Sequence, residues 1–105
     1  MVRGDVHAIT PPRGRGHAQY GRRFGVIVQA DDLLSLSTVV VCPTSQSTPA
    51  ASFHPEVTIE GAFSRVMCEM VGAVDAGALG SAVGHLTFEE MQNVDDGLAL
   101  VLDLG

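Results

Sequence analysis

The feature that most constrains the fold is a pair of short β-branched runs, FGVIVQ at 24–29 and STVVVCP at 37–43, set between segments rich in glycine, proline and small polar residues. Both are apolar at consecutive rather than alternate positions. That is the pattern of a strand buried on both faces, and neither run is long enough for a core helix. Between them DDLLSLS has room for one helical turn. Upstream, GDVHAI at 4–9 alternates apolar Val6 and Ala8 with polar Asp5 and His7, then TPPRGRG breaks into a loop that proline and glycine keep non-helical. Downstream, the polar loop TSQSTPAASFH leads into PEVTIE at 55–60, SRVMCEMVGAV at 64–74 supplies one or two more strands, and SAVGHL at 81–86 is the last. Five to seven short strands predict a mainly β chain, a small curled sheet or partial barrel.

The C-terminal segment has a different period. Thr87 followed by Glu90 forms a capping box, and Leu86 is placed to staple onto Met91, so a helix is expected to begin there. Phe88, Met91, Val94, Leu98 and Val101 recur at helical spacing, with Glu89, Gln92 and Asp96 on the opposite face. That stripe is expected to cover the sheet. Leu100 and Leu104 form a second strip that calls for cover by the domain or by a second copy of it.

Composition narrows the function classes. A chain of 105 residues, 46% hydrophobic, is read as one domain over 1–105 with enough core to fold alone or as a small oligomer. The longest apolar runs, VVVC and LALVL, fall well short of the roughly 20 residues that span a bilayer. Without a basic and apolar leader at Met1 the expected location is cytoplasmic. Cys42 and Cys68 are isolated from any CxxC and read as reduced core side chains. His7, His54 and His85 show no ligand spacing, so no metal is expected, and PRGRGH matches neither a P-loop nor a dinucleotide fingerprint, so no nucleotide cofactor is expected either.

Charge is unevenly spread. Residues 1–23 hold Arg3, Arg13, Arg15, Arg22 and Arg23 against Asp5, a balance of +4, whereas residues 24–105 hold Arg65 against eleven acidic side chains, a balance of −10. A localised cationic segment on an acidic body is what an anion site would look like, and equally what a solvated basic loop would look like. The absence of lysine favours the anion site, because a planar guanidinium binds phosphate through two parallel bonds.

The motifs resemble the MazF and PemK/Kid messenger-RNA interferase toxins of bacterial toxin–antitoxin systems. RGDV matches that family's RGD/E opening, GHAQYGRRF at 16–24 is similar to its G-[SH]-E-Q-x-G-x-R-P segment, and VVVCPTSQ at 39–46 resembles its V-V-x-P-[LVC]-T-[ST]-Q strand end. MCEM, taken as a strand, is similar to the C-[DE]-Q element of the Kid branch, and GHLTFEEMQNVDDGLALVLDL to the closing strand and helix. The resemblance runs in order over essentially the whole chain.

It implies an SH3-like or CcdB-like curled barrel and metal-independent, sequence-selective cleavage of single-stranded RNA, in which the ribose 2′-hydroxyl attacks the adjacent phosphate. Arg23 and Thr44 fall on the catalytic arginine and threonine, and His17 and Glu69 on the histidine and acid invoked for the Kid branch. Gln19, Arg22, Arg15, Ser45, Gln46 and Arg65 are read as the candidate substrate contacts. The implied partners are an antitoxin of the MazE kind, whose disordered acidic tail lies across the RNA groove, and a second copy of the chain. A guanidinium and a hydroxyl suit a transition state that gathers charge on non-bridging phosphate oxygens, while the base is better sought in His17 or Glu69 than in an arginine.

Departures from the pattern are Ala18 for glutamate, Phe24 for proline, Met67 for an arginine and Met70 for glutamine. Phe24 is read as core rather than a base-stacking surface, and Arg65, two residues before Met67, as a substitute for the missing charge. Two other classes fit the same fold: a non-catalytic RNA- or protein-binding module, and a gyrase-poisoning toxin of the CcdB kind. The latter depends on a C-terminal Trp-Gly-Ile, and this chain has no tryptophan and reads LDLG at 102–105.

Overall fold

The two β-branched runs become neighbouring strands at the middle of one antiparallel sheet. The computed structural model describes residues 1–9 and 23–105. In these, the strands are β1 (Asp5–Ile9), β2 (Arg23–Ile27), β3 (Thr38–Ser45), β4 (Glu56–Ile59), β5 (Ala62–Val66), β6 (Gly72–Asp75) and β7 (Leu79–His85), followed by one helix, α1 (Phe88–Leu102). The order across the sheet is β4-β5-β3-β2-β1-β7, with β6 also paired to β3. DDLLSLS does hold one helical turn, a 3-10 turn at Asp31–Leu33.

Side chains alternate across a strand, so consecutive apolar residues must serve two faces. Val26 and Cys42 join Val6, Val57, Ile59, Val66, Cys68, Leu86, Val94 and Leu98 in the larger core, whereas Ile27, Val39 and Val41 pack with Ile9, Leu34, Val74 and Leu79 on the other side. The sheet is thus curled around two apolar clusters. A two-residue turn joins β4 to β5, and both Glu60 (φ 52°) and Gly61 (φ 77°) lie in the left-handed region, the backbone a tight primed hairpin requires.

Helix α1 closes the larger core. Thr87 Oγ1 accepts from the Glu90 N–H at 3.1 Å and the Glu90 carboxylate accepts from the Thr87 N–H at 2.9 Å, the reciprocal capping box expected from the sequence. Leu86 is buried in the core and Met91 packs against the same cluster, so the staple is formed. At the other end Asp103 adopts a left-handed conformation (φ 55°), and the N–H groups of Asp103 and Leu104 return to the carbonyls of Leu100 and Ala99. No helix among the described residues is long and apolar enough to cross a membrane.

Two expectations are corrected, and one of two alternatives for a third is removed. MCEM is not a strand: Cys68–Met70 is a 3-10 turn between β5 and β6, because the β3 edge that a strand there would use already belongs to β5 and β6. Phe88 leaves the apolar stripe; it is the first helical residue, points away from the sheet and is 81% exposed. The strip of Leu100 and Leu104 is not covered by the domain, and Leu102 is exposed beside it.

Gly97 of α1 packs tightly against the 3-10 turn at Cys68–Met70. A Cβ there would lie 2.7 Å from the Cys68 sulfur and 3.5 Å from the Phe53 Cα, and Cys68 is fully buried with nowhere to move. Alanine raises helix propensity by about 1 kcal/mol, but inserting a methyl group into a packed core costs about 1–3 kcal/mol. The clash wins. Gly97→Ala is expected to lower stability by about 1 kcal/mol, and Gly97→Val by more, read as a drop in the urea midpoint at unchanged m-value.

Candidate functional site

The site arises where β3 changes partners. Its first half, Thr38 to Val41, pairs with β6, and its end, Thr44 and Ser45, pairs with Val66 and Arg65 of β5. Along its other edge it pairs with β2, Gly25 opposite Pro43, which carries Arg23 to the level of Ser45. The end of β3 is thereby flanked by Arg23 on one side and by the β4–β5 hairpin on the other.

Between them lies an open groove of about 570 Å³, lined by Arg23, Phe24, Thr44, Ser45, Gln46 and Ser47 on one side and by Ile59, Glu60, Ala62 and Ser64 on the other. Arg23 Nη1 donates to the Thr44 carbonyl at 3.3 Å, and the Thr44 hydroxyl donates to the Phe24 carbonyl at 3.3 Å. These bonds are long for their type, so each donor is available to a better acceptor at modest cost. Thr44 is nearly buried at the floor, and Gln46 and Ser47 are exposed at the rim. Phe24 packs against the larger core while also lining the groove. Ser45 Oγ accepts from the N–H groups of Ser47 and Thr48 at 3.2 and 3.1 Å, which bends the chain away from the strand.

The structure therefore brings together Arg23, Thr44, Ser45 and Gln46. His17, Gln19, Arg22 and Arg15 lie outside the described residues. Glu69 and Arg65 are not among the groove-lining residues. Arg65 shares a strand with Ser64 but projects from the opposite face, where Nη1 donates to the Thr48 carbonyl at 2.9 Å, Nη2 lies 3.5 Å from Glu56 and the guanidinium stacks 4.8 Å over Phe63. Arg3, counted in the cationic segment, is likewise engaged elsewhere: it pairs with Asp95 of α1 and its Nε donates to the Val28 carbonyl.

The Glu69 carboxylate meets His54, a residue to which the sequence attaches no spacing signal because its partner is fifteen positions away. His54 Nε2 lies 2.8 and 2.9 Å from the two Glu69 oxygens, and Nδ1 lies 2.7 Å from the Pro49 carbonyl. Both ring nitrogens face acceptors, and only the imidazolium can donate to both. Burial of the ring opposes that charge, but the hydrogen bonds from Glu69 and Pro49 outweigh it and hold the His54 pKa above its ordinary value. Among the described residues no cluster of three or more His, Cys, Asp or Glu could hold a metal ion.

Comparison with known proteins is consistent across the chain. Residues 2–102 match the family described as the PemK-like, MazF-like toxin of type II toxin–antitoxin systems. A Mycobacterium tuberculosis protein that bears the name putative toxin is 30% identical over 106 residues, covering 99% of each chain. Among solved structures, an endoribonuclease from a mycobacterial species in complex with its cognate antitoxin superposes with a TM-score of 0.83 at 19% identity, covering 100% of this chain and 97% of the other. MazF from Deinococcus radiodurans gives 0.82 at 15% identity, covering 99% and 97%. At these identities the two structures establish a common fold.

The His54–Glu69 pair carries a pH signature. Because the folded-state pKa of His54 is raised, its contribution to stability is fully present below the unfolded value near 6.5 and is lost as pH rises through the folded one. Urea unfolding of wild type and Glu69→Gln is expected to show the larger gap in midpoint at pH 6 and a narrower gap at pH 9. A gap independent of pH would show that the ring is neutral in the folded protein.

Proposed function

Since the chain belongs to the PemK-like, MazF-like toxins of type II toxin–antitoxin systems, we propose that it is an endoribonuclease that cleaves single-stranded RNA in the groove between Arg23 and the β4–β5 hairpin. The observation that carries this reading is the convergence of Arg23, Thr44, Ser45 and Gln46, drawn from two motifs twenty residues apart, on one open groove.

The reaction is an in-line displacement at phosphorus. The ribose 2′-oxygen forms a bond to phosphorus as the bond to the 5′-oxygen breaks; the 2′ proton goes to a base and the leaving 5′-oxygen takes up a proton. The products are a 2′,3′-cyclic phosphate and a 5′-hydroxyl end. Charge grows on the non-bridging oxygens, and the Arg23 guanidinium with the Thr44 hydroxyl, both held by backbone carbonyls, stabilises it where it grows. His17 is the proposed base. Gln19, Arg22 and Arg15 from the same segment, with Ser45 and Gln46 on the groove wall, are the proposed contacts to flanking nucleotides. Splayed bases are read by such polar edges and by stacking, so the cleavage sequence is set by the rim.

The natural inhibitor on this reading is an antitoxin with an acidic disordered tail, attracted by the cationic segment and occupying the groove in place of RNA. The active form is a homodimer, a reading supported by the exposed Leu100, Leu102 and Leu104 at the end of α1.

Mixed-sequence RNA incubated with the protein in EDTA is expected to yield discrete new 5′-hydroxyl ends. Arg23→Ala should slow cleavage by about a hundred- to a thousandfold with the thermal melt unchanged, since one preorganised donor to a developing oxyanion is lost. Equal cleavage by wild type and Arg23→Ala would remove this site from the reaction. A base of ordinary histidine pKa gives a rate that rises through about pH 6 to 7 and then levels. His17→Ala should lower the rate and flatten that acid limb; retention of both would pass the role to another group.

A further inference from the structure

The segment joining β3 to β4 starts at the rim of the groove, where Gln46 and Ser47 line it, and it has little to hold it there. Residues 46–53 are all exposed or half-buried, and apart from Phe53 their side chains are small or polar. Its position is set by polar tethers that converge on two consecutive carbonyls. The Arg65 guanidinium donates to Thr48 and the His54 ring donates to Pro49. Each cation is backed by a carboxylate, Glu56 at 3.5 Å from Arg65 and Glu69 at 2.8 Å from His54.

We infer that His54 and Arg65 are positioning residues that clamp the Thr48–Pro49 carbonyls and so fix the wall presenting Ser45, Gln46 and Ser47 to the substrate. The inference deepens the RNA-cleaving reading, and its substrate consequences rest on that reading. Glu69 and Glu56 act one step further back, by fixing the two cations.

The geometry distinguishes this clamp from incidental surface pairing. Exposed ion pairs contribute little because water competes for both partners. Here His54 is buried, its ring packs edge-on to Phe53 at 4.6 Å, and both of its nitrogens are used. The groups that face the ring are the Pro49 carbonyl and the Thr48 hydroxyl of the segment itself, and the Glu69 carboxylate and Cys68 thiol of the 3-10 turn. Among the described residues Glu69 is the facing group that carries charge. Loss of the ring proton would leave a lone pair against an acceptor, so one of the two bonds to His54 must break. The Arg65 bond to the Thr48 carbonyl then remains as the one side-chain cation holding the middle of the segment among the described residues, with the Ser45 hydroxyl holding its start.

The test uses the intact protein and two kinds of variant. In His54→Gln and Arg65→Met, amide hydrogen exchange at 46–53 is expected to accelerate about tenfold while exchange in β2, β3 and α1 is unchanged. A single-stranded oligonucleotide with 2′-deoxy sugar at the cut site, which binds without being cleaved, should bind about tenfold more weakly. With cleavable RNA the KM should rise by a similar factor while kcat changes by no more than about threefold, as expected where uniform binding and not transition-state stabilisation is lost. Arg65→Lys keeps a donor for the Thr48 carbonyl and should restore most of the affinity. In Glu69→Gln the oligonucleotide should be released at lower pH than in wild type.

Unchanged exchange at 46–53 in both variants would overturn the clamp, as would a fall in kcat at constant KM. Wild type that binds the oligonucleotide but cuts no RNA would overturn the nuclease reading and leave the clamp standing on exchange and affinity. Accelerated exchange in both variants with oligonucleotide affinity unchanged from wild type would restrict the two residues to folding and overturn their role at the groove.

Discussion

Everything in this molecule depends on one strand being shared among three partners. β3 pairs with β2 along one edge, and along the other with β6 and then β5. The change of partner falls at Cys42 and Pro43. Proline has no N–H to give a ladder and is normally barred from the middle of a sheet, yet here it sits where neither β6 nor β5 is paired along that edge. The Pro43 carbonyl still accepts from the Met67 N–H at 2.8 Å, so the acceptor is satisfied and only the missing donor is accommodated. The handover lets the sheet curl, closes the larger core beneath it and leaves the strand end exposed between two walls.

The electrostatics of the groove follow from the same architecture. An acidic body would repel a polyanion, and the cationic charge of the first 23 residues is not all available to oppose it. Arg3 is tied to α1 through Asp95, and its backbone N–H donates to the Asp31 carboxylate. Asp5, the acidic residue of that opening, accepts from the Val2 N–H and pairs with His85. The RGDV start thus holds the sheet to the helix. Arg23 alone among the described cations stands at the groove, and its position there follows from the antiparallel register of β2 against β3.

Much of the fold was legible in local pattern. The consecutive apolar residues of β2 and β3 announced two buried faces, and the capping box at Thr87 fixed the start of α1 to the residue. Arg23, Thr44, Ser45 and Gln46 could be named because each sits within a short motif. What escaped has a common cause, namely that its physics joins residues far apart in sequence. Cys68–Met70 carries the apolar residues of a strand, but whether they pair depends on an edge already occupied. His54 and Glu69 are fifteen residues apart and unremarkable singly. Arg65 is a local case: it alternates with Ser64, which lines the groove, and so meets Thr48 and Glu56 on the other face. Phe88 obeys the helical period yet is the first helical residue and stands exposed.

Glu90 has a further significance. One of its carboxylate oxygens completes the cap of α1, and the other accepts from the N–H of Thr58 on β4, the outermost strand, at 2.9 Å. Since Arg3 ties the same helix to the chain's opening residues, α1 binds the first and outer parts of the molecule together. A chain emerging from the ribosome makes its helix after every strand is out. Until then Val57, Val66 and Cys68 have no lid, and the outer edge of β4 has no partner for that N–H. The wall behind the groove therefore depends on a helix that contributes no residue to the groove lining itself.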